Sequence, residues 1–305
     1  MKNPSPLAAA CIALVAHAGD VFAQSQTPLA GHYPPGQSGI RGAATPESGW
    51  VYTNFNRFFS NLQVKDASGE ATQSLDELRY ANISMLAWTT DREVFGMRYG
   101  ALVGIPFSTG NLRPQVGDEE SKELGLGDVL ITPLALYGKS ARTDFQVQLT
   151  LWSASGRFSP GAHDNRGSGF QALVYSLGGV FYPGADRASW SLSAIARLEQ
   201  NFEQDGSDIT PGDDIVIDWG IGKVVRLWQR PVDLGVSGFA AWQINSQTGG
   251  STNTDISRYR LFGVGPEASL PITDRLSVRA RAHWELGARN IVSGNNFWLI
   301  AGLRF

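Results

Sequence analysis

Apolar and polar residues alternate with a period of two through most of the chain beyond residue 48. From Phe95 to Phe107 one side carries Phe95, Met97, Tyr99, Ala101, Val103, Ile105 and Phe107, and the other carries Gly96, Arg98, Gly100 and Gly104. Further on, Leu276, Val278, Ala280, Ala282, Trp284 and Leu286 oppose Ser277, Arg279, Arg281, His283 and Glu285. The final stretch sets Phe297, Leu299, Ala301, Leu303 and Phe305 against Trp298, Ile300, Gly302 and Arg304. This period places successive side chains on opposite faces of a β-strand. About twelve such segments, each of roughly ten residues, fit between residues 49 and 305. The first, Trp50–Asn61, has a blurred inward face, and the second covers Leu78–Thr89.

Alternation suits a soluble sandwich as well as a membrane wall, so the connections decide. Thr90–Glu93, Gly138–Thr143, Pro183–Ser189, Arg226–Pro231 and Pro271–Arg275 are short. Between them come longer polar stretches: Gln63–Glu77, Ser108–Gly127, Ser155–Gly169, Glu203–Asp213, Ser246–Ser257 and Gly287–Asn296. Short turns alternating with long loops mark an outer-membrane barrel, whose turns face the periplasm and whose loops face outside. The pattern predicts an all-β fold: one closed antiparallel transmembrane β-barrel of about twelve strands, single-domain, spanning residues 49–305. Closure also answers a hazard, since a greasy final strand left at a sheet edge would aggregate. Phe297, Leu299, Ala301, Leu303 and Phe305 resemble the C-terminal assembly signal of bacterial outer-membrane proteins. That likeness makes the barrel-assembly machinery an expected partner, beside outer-membrane lipid and lipopolysaccharide.

The start of the chain fits export. Lys2, the apolar run Leu7–Ala16 and the small-residue site Val21-Phe22-Ala23 predict a cleaved signal peptide over residues 1–23. Cys11, the one cysteine, falls inside the apolar run, and too little apolar chain precedes it for a lipoprotein signal. The mature chain then has no thiol for disulfides or metal. Residues 24–48 are rich in Pro, Gly and Ser without a sustained period, and read as an extended segment able to act as a plug. A formal net charge of −3 leaves no nucleic-acid footprint.

Charged residues on the inward faces form the candidate site: Arg98, Arg197, Glu199, Asp218, Arg279, Arg281, His283, Glu285 and Arg304. An Arg on the lipid face would cost ~2–4 kcal/mol at the midplane, so these should face the lumen. Two readings stay open: a paired interior network bracing a narrow barrel, or Arg279, Arg281 and Arg304 lining a ligand path with local positive potential. Catalysis has weak support. Mature histidines are His32, His163 and His283, and none has a Ser two residues away on the same strand face. Leu136-Tyr137-Gly138-Lys139-Ser140 and Gly263-Val264-Gly265-Pro266-Glu267-Ala268 only brush against nucleotide motifs and lie in strand or turn contexts. Asp118-Glu119-Glu120 and Asp205, Asp208, Asp213 and Asp214 read as solvated loop surface rather than a Ca²⁺ site. No cofactor and no metal is expected.

Two blocks carry a family resemblance. The first is His32-Tyr33-Pro34-Pro35-Gly36, then Gly39-Ile40-Arg41-Gly42-Ala43, Pro46 and Gly49-Trp50. The second is Gly125-Leu126-Gly127-Asp128 followed by Pro133-Leu134-Ala135-Leu136. In these the chain resembles the MetA-pathway phenol-degradation family of outer-membrane transporter-like proteins. Ala154-Ser155-Gly156-Arg157-Phe158 departs from that family's Pro-Thr-Gly-x-Tyr after the fifth strand. The resemblance implies passive uptake of small hydrophobic or aromatic solutes, with no fixed binding residues to carry over. The competing expectation is a structural or adhesive barrel without transport.

Overall fold

The computed structural model describes residues 28–110, 112, 123–160, 162, 165–184, 186–227, 229–250 and 258–305. The expected signal peptide, His163 and the acidic run 118–120 lie outside the described residues. The strands are β1 (Gly49–Lys65), β2 (Ala71–Val94), β3 (Met97–Ser108), a two-residue β4 (Gly125–Leu126), β5 (Leu130–Lys139), β6 (Thr143–Trp152) and β7 (Ala172–Phe181). They continue as β8 (Trp190–Asn201), β9 (Asp214–Leu227), β10 (Arg230–Gln243), β11 (Arg260–Pro271), β12 (Leu276–Arg289) and β13 (Val292–Arg304). Each long strand pairs antiparallel with its neighbours, β4 caps the end of β3, and β1 pairs with both β2 and β13. Twelve staves therefore close without a free edge, which is what a sheet surrounded by hydrocarbon requires.

The outward wall is apolar over most of its circumference. Val103, Ile105, Val147, Leu177, Ile221, Val236 and Leu299 all project outward and stay exposed. Near the short-turn end Trp50, Trp88 and Tyr99 form an aromatic group, with ring centroids 6.3 and 6.2 Å apart. On β13, Phe297, Leu299 and Leu303 are exposed, as is Phe305 just beyond it, whereas Trp298 and Ile300 are buried toward the lumen. This is the face separation that the period of two dictates.

Two expected loops are absent. Gln63–Glu77 is mostly strand, because β1 and β2 run on to a five-residue turn, Asp66–Glu70. Gly287–Asn296 likewise shrinks to the connection Asn290–Ile291 between β12 and β13, with Asn290 at φ 51°. Register shifts at Asn61/Gln63 and Val64/Lys65 break the alternation there. A bulge puts two residues opposite one, so the sequence pattern slips out of phase although pairing continues.

The blurred face of β1 also has a physical origin. Phe55, Arg57 and Phe59 point inward, while Asn54 and Asn56 point to the membrane side, level with Ser84 and Asn82 of β2. These outward polar groups satisfy one another. Asn54 Nδ2 donates to Ser84 Oγ at 3.2 Å, and Asn56 Nδ2 donates to Asn54 Oδ1 at 2.8 Å. Tyr80 Oη donates to Asn56 Oδ1 at 2.7 Å. Asn82 Nδ2 reaches Asn54 Oδ1, Phe55 O and Asn56 Oδ1 at 3.2, 3.1 and 3.1 Å. Asn82→Ala would remove one of the two donors that Asn54 Oδ1 and Asn56 Oδ1 each have beside lipid, at a cost of about 0.5–1.5 kcal/mol. The expected result is a lower urea midpoint for the detergent-folded barrel with an unchanged slope. An unchanged midpoint would mean that the network contributes nothing net.

Candidate functional site

Residues 28–48 lie inside the barrel and run its full height. At the long-loop end Gln243 Nε2 donates to Leu29 O at 3.0 Å, and Leu29 N reaches Gln247 Oε1 at 3.4 Å. At the short-turn end Thr45 Oγ1 donates to Gly138 O at 2.7 Å and Arg98 Nη1 to Pro46 O at 3.3 Å. The segment then turns into β1 at Gly49. Its backbone, having no sheet partner, needs acceptors and donors from the lumen wall.

Three buried carboxylates supply most of the acceptors. Glu199 accepts from His32 N at 2.5 Å, from Tyr33 N at 3.1 Å and from His32 Nδ1 at 3.0 Å. The other ring nitrogen of His32 lies 3.4 Å from Asp128. Carboxylates at both nitrogens suit the imidazolium, which has two donors. Asp218 accepts from Tyr33 Oη, Gly36 N and Ser38 N at 2.5, 2.8 and 3.0 Å. Its charge is met by Arg197 at 3.2 Å, whose guanidinium sits 4.0 Å from the Tyr33 ring centroid. Glu267 accepts from Ile40 N at 3.2 Å. Near the short turns Arg41 pairs with Asp233, and Arg187 pairs with Asp144.

Close approach explains the glycines. A Cβ on Gly39 would fall 2.0 Å from Glu267 Oε2, and one on Gly220 of β9 would fall 2.5 Å from Ile40 N. Gly36 adopts φ +84° with its α-carbon against the His283 ring. Only glycine fits where segment and wall touch backbone to side chain in this way.

Of the nine inward charges named from sequence, Arg98, Arg197, Glu199, Asp218 and Arg281 hydrogen-bond to the inner segment, Arg304 pairs with its Glu47, and His283 packs on its Gly36. Arg281 donates to Gly36 O at 2.8 Å and Gln37 O at 3.1 Å. Glu285 serves the wall instead, accepting from Gly294 N at 2.7 Å and Asn296 Nδ2 at 2.5 Å. His283 Nε2 pairs with Ser237 Oγ at 3.0 Å. Arg304 stands at the short-turn mouth and pairs with Glu47. The expected positive charge around Arg279, Arg281 and Arg304 is reduced by two carboxylates, one of them shared. Glu267 lies 3.4 Å from Arg279 and 3.5 Å from Arg281, and Glu47 meets Arg304.

Sequence reasoning missed Asp128, Glu267, His32 and Tyr33 as lumen groups. Three of them sit in the two blocks that carry the family resemblance, and Glu267 sits in the glycine-rich stretch of β11. Among the described residues no three His, Cys, Asp or Glu side chains converge as a metal site. Asp214 is turned inward to Asn201 Nδ2 at 3.1 Å, while Asp213 accepts from Asn201 N at 3.0 Å.

Two spaces lie beside the inner segment among the described residues. One, about 250 Å³, lies between it and the wall of β1–β3 and β5–β8. Its apolar side is Phe55, Met85, Leu102, Leu130, Trp152 and Val174; its polar side includes Tyr137, Gln146, Gln148 and Ser176. Its Trp152 stacks at 5.3 Å on His32, which is edged by Phe170 at 4.5 Å and itself lines the second space. The other, about 240 Å³, lies toward β1 and β10–β13 beside Arg57 and Glu285.

The barrel is similar in fold to the crystal structure of the COG4313 outer membrane channel from Pseudomonas putida F1. The TM-score is 0.72 with 13% identity, covering 90% of this chain and 100% of that chain. The beta domain of the Bordetella autotransporter Brka gives TM-score 0.48 with 14% identity, covering 84% of this chain and 100% of that one. The translocator domain of autotransporter NalP from Neisseria meningitidis gives 0.46 with 12% identity, covering 87% and 91% respectively. The closed wall, its apolar exterior and this likeness place the chain in the outer membrane. No curated protein matches the chain in sequence. The family described as "Putative MetA-pathway of phenol degradation" matches residues 63–300, and the chain belongs to that family.

Proposed function

We propose that this protein is a passive channel that admits small hydrophobic or aromatic compounds through the outer membrane, with residues 28–48 narrowing the lumen as a plug. The observation that carries this reading is the cavity of about 250 Å³ beside that segment. A dry cavity of about 150 Å³ holds a benzene ring, so this space accommodates one substituted ring. An apolar wall with a few polar groups on one side suits a ring bearing a hydroxyl. The family's association with phenol degradation agrees with that chemistry. A lumen crossed from end to end by a hydrogen-bonded segment suits a wide water pore poorly.

A catalytic reading has less support. Ser237 and His283 lie 3.0 Å apart, as a nucleophile and base would. Yet His283 Nδ1 has no hydrogen-bond partner among the described residues, and Gly36 packs on the ring. The pair therefore lacks an orienting acid and a place for substrate.

The test is initial uptake of ring-labelled phenol and toluene at limiting concentration by a deletion strain, with and without the gene restored. Intact cells are the right system because the lipopolysaccharide leaflet is the barrier. Restoration should raise aromatic uptake several-fold and leave glucose uptake unchanged. Equal aromatic uptake in both strains would favour a structural or adhesive barrel.

A further inference from the structure

Outside the lumen, three arginines gather on the outward face at the long-loop end. Arg258 and Arg260 are two residues apart, and Arg289 is the direct cross-strand partner of Arg260. Like charges directly opposite on antiparallel strands repel, so such a pair asks for an anion. Among the described residues no carboxylate forms an ion pair with any of the three. Arg258 Nη1 donates to Ile244 O at 2.9 Å, and Arg260 Nε donates to Gly287 O at 3.3 Å. Most of the five N–H donors on each guanidinium stay free. Asp66, in the neighbouring β1–β2 turn, has its Oδ1 taken by the amides of Ser68, Gly69 and Glu70.

The arginines border a rim cleft of about 560 Å³, together with Ser246, Asn290 and, on its lumen side, the buried Gln243 and Tyr259. Immediately membraneward the surface turns apolar. Trp242 and Phe262 meet edge to face at 5.6 Å, and Trp284 and Leu286 are exposed beside them. Aromatic side chains at this level mark the interface of an outer-membrane barrel. The order along the wall is thus hydrocarbon, aromatic ring, guanidinium. A glycolipid of the outer leaflet has the same order, with acyl chains below and sugar-borne phosphate above. Arginine's planar fork matches phosphate oxygens two at a time.

From this geometry we propose that Arg258, Arg260 and Arg289 bind a phosphate monoester of the outer-leaflet glycolipid, whose acyl chains lie against Phe262 and Leu286. The proposal does not rest on what passes through the lumen.

The experiment measures lipopolysaccharide retained per barrel after purification of the full-length protein in mild detergent. Wild type is compared with the double variant Arg260→Gln/Arg289→Gln and with Arg226→Gln/Arg230→Gln at the opposite rim. The first variant should retain roughly tenfold less, as expected on loss of two charge-assisted contacts, and the second should match wild type. Enzymatically dephosphorylated glycolipid should bind wild type as weakly as it binds the first variant. Equal retention by wild type and the first variant would overturn the proposal, and so would equal losses in both variants. Displacement of the glycolipid by equimolar inorganic phosphate would overturn the glycolipid as the ligand. Should the double variant fail to give a heat-modifiable band, Arg289→Gln alone carries the same comparison.

Discussion

Replacing Asp218 with alanine is expected to release the inner segment and produce long-lived high-conductance openings in a barrel that still inserts. Asp218 is the acceptor for Tyr33 Oη, Gly36 N and Ser38 N, and it neutralises Arg197. Removing one member of such a buried cluster strands its partners, at a cost of about 3–5 kcal/mol. At 1.36 kcal/mol per factor of ten, the displaced state gains about two to nearly four orders of magnitude in occupancy. The strands themselves keep their ladders, because the carboxylate bonds the segment rather than the sheet. Single-channel recording in planar bilayers reads the effect as time spent at the higher level, and a heat-modifiable band confirms insertion. Asp218→Asn, which keeps an acceptor oxygen, should fall between. Unchanged conductance in the alanine variant would show that the remaining anchors at Glu199 and Glu267 suffice.

The second large effect concerns the cavity. Ser176 lies on its polar side, is buried, and faces Arg197 across the β7–β8 ladder. Ser176→Phe would place a ring in the space that a single solute ring needs. Uptake of phenol and toluene by cells carrying this variant should fall roughly tenfold, the low end of what a poorly fitting pocket costs. Ion conductance should change little, because Ser176 itself makes none of the segment's hydrogen bonds. If aromatic uptake is unaffected, the route runs elsewhere, and the smaller space beside Arg57 and Glu285 becomes the one to fill.

The two effects are separable because different groups control them. The carboxylates fix where the segment sits, and the apolar side chains of β1–β3 and β5–β7 shape what remains beside it. A variant that frees the segment should admit ions and small hydrophilic solutes alike. One that fills the cavity should discriminate by solute size alone.

Local pattern determined a good deal of this protein. Which side chains of β3, β6, β8, β12 and β13 face lipid follows from a period of two, because strand geometry alone alternates the faces. An inward charge is forced once the other face meets hydrocarbon, so Arg197, Glu199, Asp218 and Arg281 were legible as lumen residues. The pattern failed where geometry departs from ideal pairing. Bulges at Asn61/Gln63 and Val64/Lys65 hid the length of β1 and β2, and the Asn54–Asn82 network put polar groups on the membrane side.

Tertiary structure alone decided what those charges do. Arg281 and Gly36 are 245 residues apart, and His32 and Glu199 are 167 apart. They meet only because the barrel closes and the inner segment runs along its axis. Much of that contact is made to backbone amides and carbonyls, which every residue carries and which leave no mark in composition. Even the apparent surplus of arginine on β12 shrinks once Glu267 of β11 comes within 3.4 Å of Arg279 and 3.5 Å of Arg281. Sequence set which faces are polar; strand stagger and closure set which polar groups touch, because pairing across a barrel depends on positions that no local period encodes.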